Sequence, residues 1–338
     1  MSFYDKETLY QHEVLSNSST PKRKTKLLKY LSLVLLAVQT TLVIMVMRYV
    51  RTQKGDMFIA STAVIQCEAF KMMASFAIIL YQEKSVPKSV RHLVKNIIDQ
   101  PVDCIRMSIP AIIYVFQNNL FYVAVSNLDA ATCQVTYQLK IFTTAICSVI
   151  MLKTKISRLQ WISLCILFVG VSVVLLPSTK STKGVTLDED KNRVLGIICV
   201  VTSCCLSGFS GVYFEKILKG TKKSIWLRNV QLGMFGIAVG FITMGFKDGI
   251  KVFEKGFFHG YYSVVWFVIF LQSFGGLCTA VVVKYANNIL KGFATSGAIV
   301  LSCIISVYLF DFHLTKEFTI GALLVVLSVF MYSKCSVK

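Results

Sequence analysis

Charge is scarce in this chain. Only 16% of its 338 residues are charged, acidic residues number 17 against 36 Lys and Arg, and 55% are hydrophobic, with a mean hydropathy of +0.64. A soluble domain of this length does not use so much apolar sequence, so the composition leaves a polytopic membrane protein. Chemistry-bearing motifs are missing as well. There is no Cys-x-x-Cys, and the 4 His are scattered among loops and the N-terminal tail, which excludes a zinc site of ordinary spacing. No Walker motif, Ser/His/Asp arrangement or cofactor signature is present, so nothing points to an enzyme. No small-residue cleavage site follows the first apolar run, which excludes a cleaved signal peptide. The 11 Cys do not form a disulfide framework. Most of them, including Cys67, Cys147, Cys165, Cys199, Cys204, Cys205, Cys278 and Cys303, fall within apolar runs, where a free Cys is a small hydrophobe.

The net charge of +19 raises nucleic acid as a partner, but the basic residues cluster in short loops beside apolar runs, where they set topology. Runs of membrane length occur at about 27–47, 57–81, 104–126, 129–152, 158–176, 194–215, 225–246, 262–285, 288–310 and 317–334. Ten helical spans are therefore expected in an all-α fold. The count depends on two short turns, Ser126-Asn-Leu-Asp129 and Tyr285-Ala-Asn-Asn288, each dividing a run too long for one span. Residues 1–26 read as a polar cytosolic tail ending in the basic flank Pro21-Lys-Arg-Lys-Thr-Lys26, and 335–338 as a short cytosolic C-terminus. Cytosolic termini give that face about twice the Lys and Arg of the other. The glycosylation triplet at Asn17 then faces the cytosol and stays unused. Residues 27–176 and 194–334 form two five-span halves joined by the luminal stretch 177–193. Five is odd, so the second half enters from the opposite face, the inverted repeat of many secondary transporters.

Ionisable residues inside such spans are costly and mark function. Lys140 lies mid-run, one turn after Tyr137 and close behind Gln134 and Thr136, which puts an aromatic ring and a cation on one face. That suits a base with its phosphate, whereas a structural Lys140 would be paired permanently with Glu68. Glu68 and Lys71 have the spacing of an intrahelical ion pair. Gln117, Asn118 and Asn119 follow Tyr114 as three consecutive amides that cannot all face lipid. Lys284 and Lys291 flank the Asn287-Asn288 turn, where a helix start beside Lys and Gly292 offers an anion site. The stretches Ser207-Gly-Phe-Ser-Gly211 and Gly236-Ile-Ala-Val-Gly240 read as close-packing faces.

Several of these runs resemble one family. Val115-Phe-Gln-Asn-Asn119, Ser126-Asn-Leu-Asp-Ala-Ala131, Gln134-Val-Thr-Tyr-Gln-Leu-Lys140, Gly211-Val-Tyr-Phe-Glu-Lys-Ile-Leu218, Arg228-Asn-Val-Gln231 and Lys284-Tyr-Ala-Asn-Asn-Ile-Leu-Lys-Gly-Phe293 are similar to the Golgi nucleotide-sugar transporters. The likeness is greatest to the UDP-N-acetylglucosamine and UDP-galactose members, with CMP-sialic acid transporters as nearby relatives. It implies the drug/metabolite-transporter fold, Golgi residence and exchange of a cytosolic nucleotide sugar for luminal nucleoside monophosphate, here a UDP-sugar for UMP. It also implies no cofactor, a setting in membrane lipid, and association with itself or with Golgi glycosyltransferases. By the same resemblance Lys140, Lys284 and Lys291 hold phosphate. Tyr114, Gln117, Asn118, Tyr137, Ser207, Asn229 and Thr279 line the cavity, and Glu68 and Lys71 approach the sugar. The sialic acid members carry Tyr where this chain has Gly233. That places base choice at Asn229 and Gly233, expects open space at the glycine, and argues against CMP. A CMP-sialic acid exchanger, or a receptor or scaffold that transports nothing, is the alternative.

Overall fold

The computed structural model describes residues 22–52, 58–128, 130–175, 192–221, 223–310 and 316–334. The expected glycosylation triplet, most of the 177–193 connection and the C-terminal 335–338 lie outside them. Among the described residues every element is a helix. That is what long apolar runs dictate, since a lipid-embedded backbone must satisfy its own hydrogen bonds.

Thirteen helices follow in chain order among the described residues. They are α1 (Lys22–Thr52), α2 (Ala60–Glu83), α3 (Val86–Ile97), α4 (Pro101–Ile105), α5 (Ser108–Asn127), α6 (Ala130–Tyr137), α7 (Lys140–Leu152), α8 (Arg158–Leu175), α9 (Arg193–Gly220), α10 (Ile225–Lys255), α11 (Ser263–Tyr285), α12 (Asn288–Phe310) and α13 (Lys316–Lys334). Among the described residues seven helical stretches are long and apolar enough to cross a membrane: Leu27–Met47, Ala60–Glu83, Val135–Leu152, Arg158–Leu175, Arg193–Gly220, Ile225–Lys255 and Ser263–Tyr285. The protein is thus a multi-pass membrane protein. α1 starts at Lys22, so the basic flank expected to belong to the tail continues the first helix as its opening turn.

Capping follows the polar residues between runs. Ser224 and Asn192 accept from backbone N–H groups at the starts of α10 and α9, while Lys84 and Lys153 close α2 and α7 with positive φ. The rods pack in definite pairs: α8 on α13, α5 on α9, α2 on α10, α7 on α9, and α1 on both α11 and α12, with smaller contacts of α2 on α11 and α5 on α10. Glycine permits the α8–α13 crossing to be close. A Cβ at Gly321 would lie 2.7 Å from the Gly170 carbonyl oxygen, so α13 and α8 meet backbone to backbone.

Sequence periodicity misses one break. The fourth apolar run is interrupted at Gln138 and Leu139, where hydrogen bonds tighten to i→i−3: Gln138 to Val135, Leu139 to Thr136, Ile141 to Gln138 and Phe142 to Leu139, all at 3.0 Å. The Cys204 thiol of α9 donates to the Tyr137 carbonyl at 3.4 Å, and Thr143 Oγ1 donates to the Cys204 carbonyl at 2.8 Å. Gly208 admits this approach, since a Cβ there would meet the Thr143 backbone at 2.7 Å. The fourth run therefore turns inside the bundle, and α7 begins at Lys140.

Candidate functional site

The site is built on that break. Tyr137 ends α6, and its ring is held from three sides. Gln117 Nε2 on α5 donates to its hydroxyl at 3.0 Å, Ser207 on α9 hydrogen-bonds the same group, and the Phe121 ring lies 4.6 Å away between centroids. The Lys140 ammonium rests on this fixed ring, with Nζ 4.3 Å from the centroid. Among the described residues no carboxylate pairs with Lys140. The permanent pairing with Glu68 that would make Lys140 structural is absent: Glu68 Oε1 accepts from Lys71 at 2.6 Å instead.

Lys291, in the first turns of α12, lies close enough for its charge to be felt by Lys140 and by Glu215. Two cations thus face one interior, near the starts of two helices whose dipoles add to their field. Tyr114, one turn before Gln117, hydrogen-bonds Ser210 and senses the charge of Glu68, so the Glu68–Lys71 pair borders the same region. The pair is seated in glycine notches. Glu68 lies over Gly236, where a Cβ would be 3.1 Å from its Cδ, and the Lys71 stem lies over Gly276, where a Cβ would be 2.5 Å from its Cδ. Two acceptors here are buried without a partner among the described residues, Gln117 Oε1 and Glu68 Oε2. Bare acceptors and unpaired cations together form a surface for an anion that also carries hydrogen-bond donors.

Lys284 and Asn229 sit in a second polar cluster. Lys284 donates to the Lys223 carbonyl at 3.4 Å, near Arg228, and Asn229 Nδ2 turns back to the Ile225 carbonyl at 3.0 Å. Both belong to a polar cluster at the start of α10. There the fully buried Arg228 pairs with Asp103 at 2.9 Å and bonds Gln231 at 2.9 Å, and Lys223 reaches Asp103 at 2.6 Å. Burial raises the Asp103 carboxyl, but hydrogen bonds from Arg228 and Lys223 and their charges outweigh it and hold the group below its usual value. Thr279 lies half-buried in α11, and the Asn118 and Asn119 side chains lie outside the described residues.

The open space expected at Gly233 is filled. A Cβ there would lie 3.1 Å from Met72 Cβ and 3.3 Å from the Glu68 carbonyl, because Gly233, Gly236 and Gly240 form the stripe on which α2 packs. The α12 start is also not open. Glu215 Oε2 accepts from Asn288 N–H at 2.8 Å, and Asn287 Oδ1 accepts from Leu290 N–H at 2.7 Å. Sequence reasoning passed over Glu215, although its Lys partner at i+4 was visible.

Comparison with known proteins assigns the chain to a family. A family model described as nucleotide-sugar transporter matches residues 24–333. The UDP-galactose translocator of Mus musculus is 50% identical over 310 residues, covering 90% of this chain and 78% of that protein. The UDP-N-acetylglucosamine transporter of Homo sapiens is 47% identical over 309 residues, covering 90% and 95%. A solved crystal structure at 11% identity superposes with a TM-score of 0.63 over 93% of this chain and 98% of that one, a likeness of fold alone. With unpaired lysines gathered inside a helical bundle and a match that runs nearly end to end, the chain belongs to the nucleotide-sugar transporter family, whose members carry substrates across membranes and are not enzymes.

Proposed function

We propose that this protein exchanges a cytosolic UDP-sugar, UDP-N-acetylglucosamine or UDP-galactose or both, for luminal UMP across the Golgi membrane. The single observation that carries the reading is Lys140: a cation inside the bundle, fixed on a clamped tyrosine ring and unpaired, with Lys291 nearby. An unpaired cation in a span is costly, and a phosphate that comes and goes removes the cost while it is bound. The same argument makes exchange obligatory, because returning empty means crossing with uncompensated cations. Lys284, Asn118, Asn229 and Thr279 belong to the proposed binding path as well. The relatives named for UDP-galactose and UDP-N-acetylglucosamine favour uridine over cytidine.

Alternating access needs two halves, and the packing supports them. With α6 and α7 counted as one rod, ten rods divide into α1 to α8 and α9 to α13, with α3 and α4 left as short connecting helices. Shifting each rod by five maps the pairings onto one another: α8–α13 and α2–α10 onto themselves, α5–α9 onto α1–α11, α7–α9 onto α1–α12, and α5–α10 onto α2–α11. This correspondence supports two matched five-helix halves, which an odd number of spans makes inverted, and the excess of Lys and Arg favours cytosolic termini. The test is uptake of labelled UDP-sugars into proteoliposomes. Vesicles preloaded with UMP should accumulate label much faster than empty ones, and UMP should compete better than CMP. Equal uptake by loaded and empty vesicles refutes exchange, and equal competition refutes uridine selectivity.

A further inference from the structure

We propose that Glu215 is the latch of the cytosolic gate, holding the α11–α12 turn against α9 until an anion inside the carrier replaces it. Gly211, Glu215 and Lys219 stand four residues apart on one stripe of α9, and all three grip the same turn. The Asn288 side chain fits against Gly211, where a Cβ would collide with its amide. Glu215 takes the first N–H of α12, and Lys219 Nζ ties Glu215 Oε1 at 2.7 Å to the Ala286 carbonyl at 2.6 Å. The Glu215 side chain is 2% exposed, so both of its oxygens are held away from water.

The other end of α9 meets the α5–α6 turn. Among the described residues Asn192 N–H donates to Asn127 Oδ1 there at 3.2 Å, and Gly196 contacts Leu128. One helix therefore braces both short turns, and the Ala286–Asn288 turn is clamped through a buried carboxylate and a lysine. Charge-assisted, buried bonds are the stronger kind. They hold the Ala286–Asn288 end shut in the empty carrier, and this end is cytosolic in the proposed topology, on which the inference rests.

The clamp is also wired to the ligand region. Lys291 lies three residues into α12 from Asn288 and feels the charge of Glu215. A phosphate beside Lys291 supplies a second anion to the same positive helix end, and it competes with the carboxylate for it. A cavity of about 380 Å³, lined by Ser148, Lys155, Gln160, Glu215, Asn287 and Tyr332, abuts the latch and gives the carboxylate space to swing into.

The test uses a reporter thiol, Ser148→Cys, in the full-length protein held in sealed cytosol-side-out vesicles, labelled with a membrane-impermeant maleimide above the background of the parent. With Glu215→Gln the rate should rise about tenfold, the equivalent of one lost charge-assisted bond. The ratio of UDP-sugar uptake between UMP-loaded and empty vesicles should fall in the same variant. Lys219→Met, whose side chain is 37% exposed and which leaves the Asn288 bond intact, should move both readouts in the same direction by less. It carries the test alone if Glu215→Gln does not fold. Unchanged labelling and coupling in a folded variant overturn the latch. Labelling that appears only after permeabilisation places this turn in the lumen and overturns the cytosolic assignment. UMP-dependent uptake by the parent protein, measured alongside, judges the exchange reading separately.

Discussion

Replacing Lys140 by Met separates the charge of this residue from its bulk. The Met side chain has almost the same length and can still rest on the Tyr137 ring, so packing at the α6–α7 break survives. In the empty protein the variant loses a cation–π contact worth about 0.5–2 kcal/mol. It also sheds an unpaired cation whose insertion costs about 2.5–3.5 kcal/mol. The unliganded variant should therefore unfold at the same temperature as the parent or above it. Binding goes the other way. A charge-assisted bond from ammonium to phosphate contributes about 1.5–3 kcal/mol, so losing it weakens UMP by roughly 10- to 150-fold. Lys140→Arg keeps the charge with different geometry and should retain part of the affinity. The assay is thermal shift of detergent-solubilised protein over a UMP titration. A Lys140→Met variant that is less stable when empty, yet shifts normally with UMP, would show a purely structural lysine and refute the reasoning.

Asp103→Asn leaves the fully buried Arg228 without its carboxylate and should cost about 3 kcal/mol, read as a lower unfolding temperature. The Asp103 carboxyl is held below its usual value of 3.8, so its stabilisation is complete above that pH and is lost as pH falls through the depressed value. Melting curves of parent and Asp103→Asn should accordingly begin to converge below about pH 4 and meet only below the depressed value. Gly321→Ala forces a Cβ onto the Gly170 carbonyl and the Val174 backbone and should destabilise by about 1–3 kcal/mol in the same assay. Gly245→Ala, with nothing within 4 Å of the new Cβ, serves as its control and should be neutral or stabilising. Gly233→Tyr must drive a ring into the α2–α10 contact. It should lower the unfolding temperature of the empty protein, and a normal melting temperature would show that α2 yields there.

Sequence reveals those features that are local to one helix. Glu68 and Lys71 are three residues apart on α2, so side-chain direction along a helix already brings the pair together. Tyr137 and Lys140, at the same spacing, stay neighbours across the break because a 3₁₀ turn also stacks i and i+3. Apolar run length locates the helices for the same reason. The break at Gln138 and Leu139 is different, because a 3₁₀ turn inside a continuous apolar run leaves the hydropathy pattern unchanged. What makes it possible is Gly208 and Cys204 on α9, some 65 residues away. Glu215 was passed over because one of its partners is the backbone N–H of Asn288, a donor with no side-chain signature. Asn229 was expected to face ligand, yet its amide turns back to its own helix at Ile225. Gly233 was expected to mark empty space, but a glycine marks equally well the place where another helix comes closest.

α10 is longer than a bilayer requires. Its 31 residues rise ~46 Å at 1.5 Å each, against a hydrocarbon thickness of about 30 Å. Ser61 bonds Asp248 at 2.6 Å, which ties the start of α2 to a level on α10 about ten Å short of its end. Beyond and around that level Phe246 and Phe253 are 91% and 92% exposed. Lipid thickness then becomes a mechanical input. A thicker membrane covers these rings, whereas a thinner one tilts α10, and the glycine stripe carries α2 with its Glu68–Lys71 pair along with it. The bilayer in which the carrier sits thus acts on the helix that holds Glu68 and Lys71, and turnover in vesicles should vary with acyl-chain length even where binding does not.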